Sequence, residues 1–263
     1  MDEQITSLQN ERVKLARNLV NRARTRRTER KILLEGTRLV RDAFTNDERP
    51  LYVFYDPNNA NQKLIARLQA GRVELLQTTP EVLGHITDTK NPQGIIGVFK
   101  LPRPPLPQEP KRVLILDNLR EPGNMGTMLR TAAASGVEVV VLSPGCVDPY
   151  NPKVLRSGMG AHFRVPVVEA EWNEIVGYCR SLQVYIAVGD GTTRYDHVDW
   201  SAAWALVIGS EAHGTSQEVE MLQAQRINIP MAARTESLNA GVAAGVILFE
   251  AARRRAFLDS SGG

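Results

Sequence analysis

The stretch Val113-Leu-Ile-Leu-Asp117-Asn-Leu-Arg-Glu-Pro-Gly-Asn124-Met-Gly-Thr-Met-Leu-Arg130-Thr-Ala-Ala-Ala-Ser-Gly136-Val-Glu-Val-Val-Val-Leu142 decides the fold by its spacing. Val113–Asp117 is a short apolar run closed by an acid, and Val137–Leu142 is a second, valine-rich run. Continuous apolar runs of this length fit strands buried on both faces. Between them Pro122-Gly123 makes a turn and Gly126–Ser135 is helical, with Asn124 the expected N-cap. Strand, helix, strand in that order is the unit from which parallel sheets are built.

The alternation continues downstream. Further strands are expected at Val184–Val188, Ala205–Ile208 and Ile227–Ile229, with helices at Pro152–Met159, Trp172–Leu182, Ser216–Leu222 and Asn239–Arg255. Residues 111–263 therefore predict a parallel-sheet α/β domain with helices on both faces. Upstream, residues 101–110 carry five prolines in ten positions. Proline at that density continues neither a helix nor an inner strand, so the segment reads as a semi-rigid linker. Residues 1–100 form a smaller domain. It opens on a basic helical stretch over 7–24, followed by alternating strands (30–36, 51–55, 73–76, 94–99) and helices (37–44, 62–70, 80–86). That pattern predicts a small α/β sandwich.

Composition narrows the function. The formal net charge is only +3, but nine of the residues from Arg12 to Lys31 are cationic, opposed only by Glu29 and the preceding Glu11. A cluster of that density attracts phosphate, although a solvated helix face would look the same. Cys146 and Cys179 stand far apart, and the four histidines show no ligand spacing, so neither a disulfide framework nor a metal site is expected. Met1–Asn10 lacks the apolar core of a signal peptide. Leu238–Phe249 is far short of the ~18 residues a membrane span needs. A cytosolic protein is the expectation.

Ligands of open parallel sheets gather at the loops leaving the carboxyl ends of strands, and three such loops are unusual. The first runs Asn118–Gly136 and carries Asn124, Gly126 and Arg130. In the second, Val207–Ser216, Glu211 stands between Gly209 and Gly214, where a carboxylate is costly without a partner. The third, Ile229–Gly245, passes through Met231, Ser237, Leu238 and Asn239 into a helix rich in alanine and glycine. Each alone also reads as an ordinary helix-entry turn. Phosphate-loop alternatives fail: Gly158-Met-Gly160 lacks its third glycine at Phe163, and there is no G-x-x-x-x-G-K-[ST].

In series, the three loops resemble the signature motifs of the SpoU/TrmH family of RNA ribose methyltransferases. The first matches N-x-G-x-x-x-R-T-A through Asn124, Gly126, Arg130 and Thr131. The second matches G-x-E-x-x-G through Gly209, Glu211 and Gly214, and the third matches I-P-M…S-L-N through Ile229, Pro230, Met231, Ser237, Leu238 and Asn239. The first domain is similar to the L30e-like substrate-binding domain attached to this family, through Leu34-Glu-Gly36 and Asn91-Pro-Gln-Gly94.

The resemblance implies an α/β catalytic domain with a deep trefoil knot, a homodimer, and 2′-O-methylation of an RNA ribose with S-adenosylmethionine as methyl donor. It makes Arg130 the key catalytic residue, framed by Asn124, Glu211, Ser237 and Asn239. It places the cofactor against Gly209, Ile229, Met231 and Leu238, with Val188 and Gly191 as a further wall. Arg22, Arg24, Arg26, Arg27 and Arg156 are the expected RNA contacts, with Lys153 near them. The appended domain favours ribosomal RNA over transfer RNA as substrate. An assembly factor that binds RNA without catalysis is the alternative from another class, and Arg130, Glu211 and Asn239 count against it.

Overall fold

The computed structural model describes residues 4–87, 92–210, 214–232 and 237–261, with 256–261 described by backbone alone. The elements up to the linker are α1 (Glu11–Asn21), α2 (Ala23–Glu29), β1 (Lys31–Glu35), α3 (Thr37–Thr45), β2 (Pro50–Tyr55), α4 (Gln62–Ala70), β3 (Leu75–Gln77), α5 (Pro80–Thr87) and β4 (Ile95–Lys100). Beyond it come β5 (Arg112–Leu116), α6 (Pro122–Ser135), β6 (Val139–Leu142), α7 (Pro152–Gly158), β7 (Val167–Glu169) and α8 (Trp172–Cys179). The chain closes with β8 (Gln183–Ala187), β9 (Thr193–Arg194), β10 (Trp204–Ile208), β11 (Gln225–Asn228) and α9 (Ala240–Ser261). The chain divides into two compact units, Met1–Arg103 with Tyr150–Phe163, and Pro104–Pro149 with Arg164–Gly263.

In the first unit a four-stranded mixed sheet has the order β1-β4-β2-β3, with β4 antiparallel to both neighbours and β3 parallel to β2. Side chains alternate between two cores. Ile32, Leu34 and Phe99 meet Leu39, Val40 and Leu64 on one face, while Leu33, Phe54 and Val98 meet Val13, Leu19 and Ile86 on the other. Leu155 of α7 joins the first of these cores, and Phe163 lies 6.1 Å from Phe99. The helix at 152–158 thus packs with the first unit, although it follows the linker in sequence, because its apolar residues fill that core.

The single basic helix expected over 7–24 is two helices. Arg22 adopts an extended backbone between them, and Arg26 turns inward. Arg26 is only 4% exposed and donates to the carbonyls of Leu19 at 2.6 Å and Val20 at 3.0 Å. The last carbonyls of a helix have no partner within it, and a guanidinium supplies one. Arg26 is therefore corrected from an RNA contact to a structural residue.

The second unit carries a seven-stranded sheet in the order β7-β6-β5-β10-β8-β11-β9, with every neighbouring pair parallel. The five strands expected from apolar runs form its middle, and the short β7 and β9 are added at the edges. One face buries Val113, Val139, Ile186 and Val207 against Ile175 and Cys179 of α8 and Leu222 of a 3-10 turn over Gln217–Leu222. Helices α6 and α9 pack along each other and bury Leu129, Ala132, Ile247 and Leu248. Among the described residues no helix is long and apolar enough to cross a membrane.

The inward turn of Arg26 is open to test. Arg26→Ala is expected to destabilise the protein by about 2 kcal/mol, the range for hydrogen bonds to a charged donor, whereas the exposed Arg24→Ala should stay within about 0.5 kcal/mol. Urea unfolding of both variants measures the difference, and equal small effects would return Arg26 to the surface.

Candidate active site

The parallel register sets the site. Leu142, Leu116, Ile208, Ala187 and Ile227 are successive Cα partners across β6, β5, β10, β8 and β11. These five strands end level, and the loops leaving them emerge side by side. A cavity of about 720 Å³ opens beside the ends of β8, β10 and β11. Val188, Gly209, Ile229, Met231 and Leu238 line it, together with Ser237 and Asn239.

Each wall follows from local chemistry. After β10, Ser210 and Gly214 exchange backbone hydrogen bonds of 2.8 and 2.9 Å, folding the loop back on itself. That turn presses on Gly209, where a Cβ would come within 2.5 Å of the Gly214 carbonyl carbon. After β8, Val188 N–H donates to the Ile227 carbonyl at 2.9 Å, and a Cβ on Gly191 would lie 2.5 Å from the carbonyl carbon of Ile227. Gly191 does not line the cavity; it lets the β8 loop lie flat on β11.

The third wall is the entry to α9. Asn239 Oδ1 accepts from the backbone N–H of Gly241 at 2.9 Å and Val242 at 3.3 Å, so it caps the helix. With the oxygen so engaged, its Nδ2 faces outward and donates to Asn124 Oδ1 at 3.0 Å. Close packing of α9 on α6 brings the two amides together, since a Cβ on Gly241 would lie only 3.4 Å from the Thr127 methyl. Asn124 is not the N-cap of α6. Pro122 opens that helix and Glu121 caps it, accepting from Gly123 N–H at 3.2 Å. Proline is pre-organised for that first position, which moves the helix start upstream and places Asn124 inside the first turn of α6.

Arg130 lies two turns further along α6, exposed, and among the described residues it forms no ion pair. Glu211 lies outside the described residues, as does Asn91 of the segment at 91–94. Among the described lining residues the charged ones are Asp190 and Arg226, which pair at 2.7 Å. The hydrogen bond and charge of Arg226 hold the Asp190 carboxyl below its ordinary range. The sequence reading missed this pair, because nothing in the sequence places β11 beside β8. Of the remaining arginines, Arg22, Arg24 and Arg27 are exposed. Arg156 is half-exposed and lies 3.5 Å from Glu35, a buried carboxyl whose desolvation pushes its pKa up. Lys153 is exposed on the same helix.

A cavity of this size, with aliphatic walls and backbone polar groups at the ends of parallel strands, fits a small cofactor with an aromatic base. Residues 111–249 match the SpoU rRNA Methylase family, and residues 10–97 match the MRM3-like substrate binding domain. The chain belongs to the SpoU rRNA methylase family. It is 35% identical to the mitochondrial rRNA methyltransferase 3 of Mus musculus over 85% of this chain and 68% of that protein. It is 30% identical to the 23S rRNA (guanosine(2553)-2′-O)-methyltransferase RlmP of Bacillus subtilis, over 94% of this chain and 98% of that one. Among solved structures, an AdoMet-bound rRNA methyltransferase from Sinorhizobium meliloti superposes with a TM-score of 0.82 at 32% identity, covering 96% of this chain and 98% of that one.

Proposed function

We propose that Arg130, Asn124, Ser237 and Asn239, with Glu211, form the methyl-transfer centre of this chain, an S-adenosylmethionine-dependent rRNA 2′-O-methyltransferase. The observation that carries the assignment is the Asn239–Asn124 hydrogen bond. It joins residues 115 apart in sequence, beside the cavity, and so links the first and third motif loops.

Bound S-adenosylmethionine supplies an electrophilic methyl group on a sulfonium sulfur. The task left to the chain is to make a ribose hydroxyl nucleophilic and to hold it. A neutral hydroxyl is a weak nucleophile. Arginine stays protonated in proteins, so Arg130 serves by positioning a substrate phosphate and stabilising the developing alkoxide. The hydroxyl proton leaves to that phosphate or to water as the methyl passes from sulfur to oxygen. Asn124, Ser237 and Asn239 fix the polar frame around it, and Glu211 belongs to that frame by its place in the second motif. Val188, Ile229, Met231 and Leu238 would hold the cofactor by their apolar surface and Gly209 by its backbone groups, while Gly191 keeps the outer wall in place.

Arg130→Ala should reduce methyl transfer by at least a hundredfold, the usual scale for losing one charge-stabilising group, with cofactor affinity nearly intact. Transfer of labelled methyl to ribosomal RNA, beside calorimetric cofactor titration, measures both. Turnover close to wild type would remove Arg130 from its role.

The first unit is the RNA-holding domain in this reading, an L30e-like sandwich whose exposed Arg22, Arg24 and Arg27 meet phosphate. Its match to the MRM3-like substrate binding domain supports this. Each phosphate contact adds about 0.7 to 0.9 to the salt slope of binding. Replacing the three arginines by alanine should flatten the slope of log affinity against log salt by about two. An unchanged slope would make the cluster a solvated face.

The second unit is proposed to hold a deep trefoil knot and to pair with a second copy. Two late strands enter between earlier ones, β10 between β5 and β8 and β11 between β8 and β9, an order that favours threading. Val242 and Phe249, seven apart on α9, are each more than half exposed, and a helix carries such residues on one face. A crystal structure tests both ideas. The chain after Ile229 is expected to pass through a closed loop, and Phe249 to lie against its partner copy. An unthreaded trace, or Phe249 facing solvent, removes the corresponding proposal.

A further inference from the structure

The step just beyond the level strand ends contains a buried carboxylate. Ser143, Asp117, Gly209 and Val188 follow Leu142, Leu116, Ile208 and Ala187, which are paired across the sheet. Asp117 is 1% exposed. Its Oδ1 accepts from Ser143 Oγ at 2.8 Å, and its Oδ2 accepts from the Ser216 backbone N–H at 2.6 Å, 99 residues away in sequence. Ser143 Oγ in turn accepts from Asn118 N–H at 3.0 Å.

Two loops therefore meet on the Asp117 side chain, and a third is tied to it through Ser143. Ser143 leaves β6, Asn118 opens the path into α6, and Ser216 closes the loop whose Gly209, Ser210, Gly214 and Thr215 wall the cavity. Among the described residues Asp117 has no ion-pair partner. A carboxylate removed from water is costly unless its lone pairs are met. A residue whose only task was packing would be apolar here, as Leu114 and Leu116 are.

We infer that Asp117 is a positioning residue for the cofactor site: it fastens the cavity wall formed by Gly209, Ser210, Gly214 and Thr215 to β5, and through β5 to the helix carrying Asn124 and Arg130. It does not line the cavity and acts through the Ser216 amide. The inference rests on the reading of that cavity as the S-adenosylmethionine site.

Calorimetric titration of the full-length protein with S-adenosylmethionine tests it, together with hydrogen exchange at the Ser216 amide. Asp117→Ala removes both acceptors and is expected to weaken cofactor binding about tenfold, in line with a buried donor left unmet, and to release the amide to fast exchange. Asp117→Asn keeps an acceptor for Ser216 N–H while its own amide donates to Ser143 Oγ, so it should recover most of the affinity. A lowered unfolding midpoint with unchanged affinity in Asp117→Ala would mean packing alone and overturn the inference. An Asn variant as weak as the Ala variant would overturn it too. If Asp117→Ala does not fold, Ser143→Ala removes the donor that orients the carboxylate; unchanged affinity and unchanged Ser216 exchange there are equally fatal. Ala243→Trp, which fills the cavity itself, separates the two readings. Normal binding in that variant removes the cavity as cofactor site, whereas binding lost there but retained in Asp117→Ala removes only the role of Asp117.

Discussion

Strand β10 is held on both edges by strands that precede it in sequence. Trp204–Ile208 pairs with Arg112–Leu116 of β5 on one side and Gln183–Ala187 of β8 on the other, residue for residue. Both sets of backbone groups are thereby satisfied in a segment whose five residues are all buried. Unpaired groups at such depth would be prohibitive, so the strand is stable only when both neighbours are in place. Equal register on the two edges is also what makes the strands finish level. Loops that leave a flush edge side by side can share walls, and the cavity lies where they part.

Beyond that edge the ladder stops, and the polar groups it would have satisfied need other partners. The site residues are largely the answers to this problem. Asn239 takes up two N–H groups at the start of α9, and the orientation this forces leaves its amide nitrogen for Asn124. Asp117 takes the Ser143 hydroxyl and the Ser216 amide. Gly209 and Gly191 contribute by lacking a side chain where another backbone must pass. Capping, loop fastening and the layout of the cavity are one set of contacts, so a substitution at Asn239 would disturb helix and cavity wall together.

Much of this was legible in the sequence, and the limits have physical causes. Apolar runs revealed β5, β6, β8, β10 and β11, whereas β7 and β9, of three and two residues, are too short to show any pattern. The family resemblance grouped Gly209, Ile229, Met231 and Leu238, with Val188 as a further wall, and these five line one cavity. Contacts that depend on strand order stayed hidden. Asp117 reads as the end of an apolar run until β6 and the loop after β10 are set beside it, and the Asp190–Arg226 pair exists only because β11 enters next to β8. The start of α6 was misplaced for a local reason: two residues near its N-terminus can accept a capping hydrogen bond, and proline at the first helical position selects Glu121 over Asn124.

The arginine cluster shows why charge alone does not name a binding surface. A guanidinium is equally at home beside a phosphate and beside peptide carbonyls left over at a helix end, and sequence cannot tell which it will meet. Arg26 finds the carbonyls of Leu19 and Val20 because the extended backbone at Arg22 turns α2 away from the line of α1. Arg156 is drawn to Glu35, a buried carboxyl that only a nearby cation relieves. Of the five nominated arginines Arg26 thus answers a demand of the fold, while Arg156 pairs with Glu35 and still keeps its side chain half-exposed. Arg22, Arg24 and Arg27, by contrast, are all exposed within one short stretch, and these are the three proposed to meet RNA. Phosphate attraction is long-ranged and tolerant of geometry, so the role proposed for these exposed guanidinium groups asks for no fixed partner and carries no base specificity.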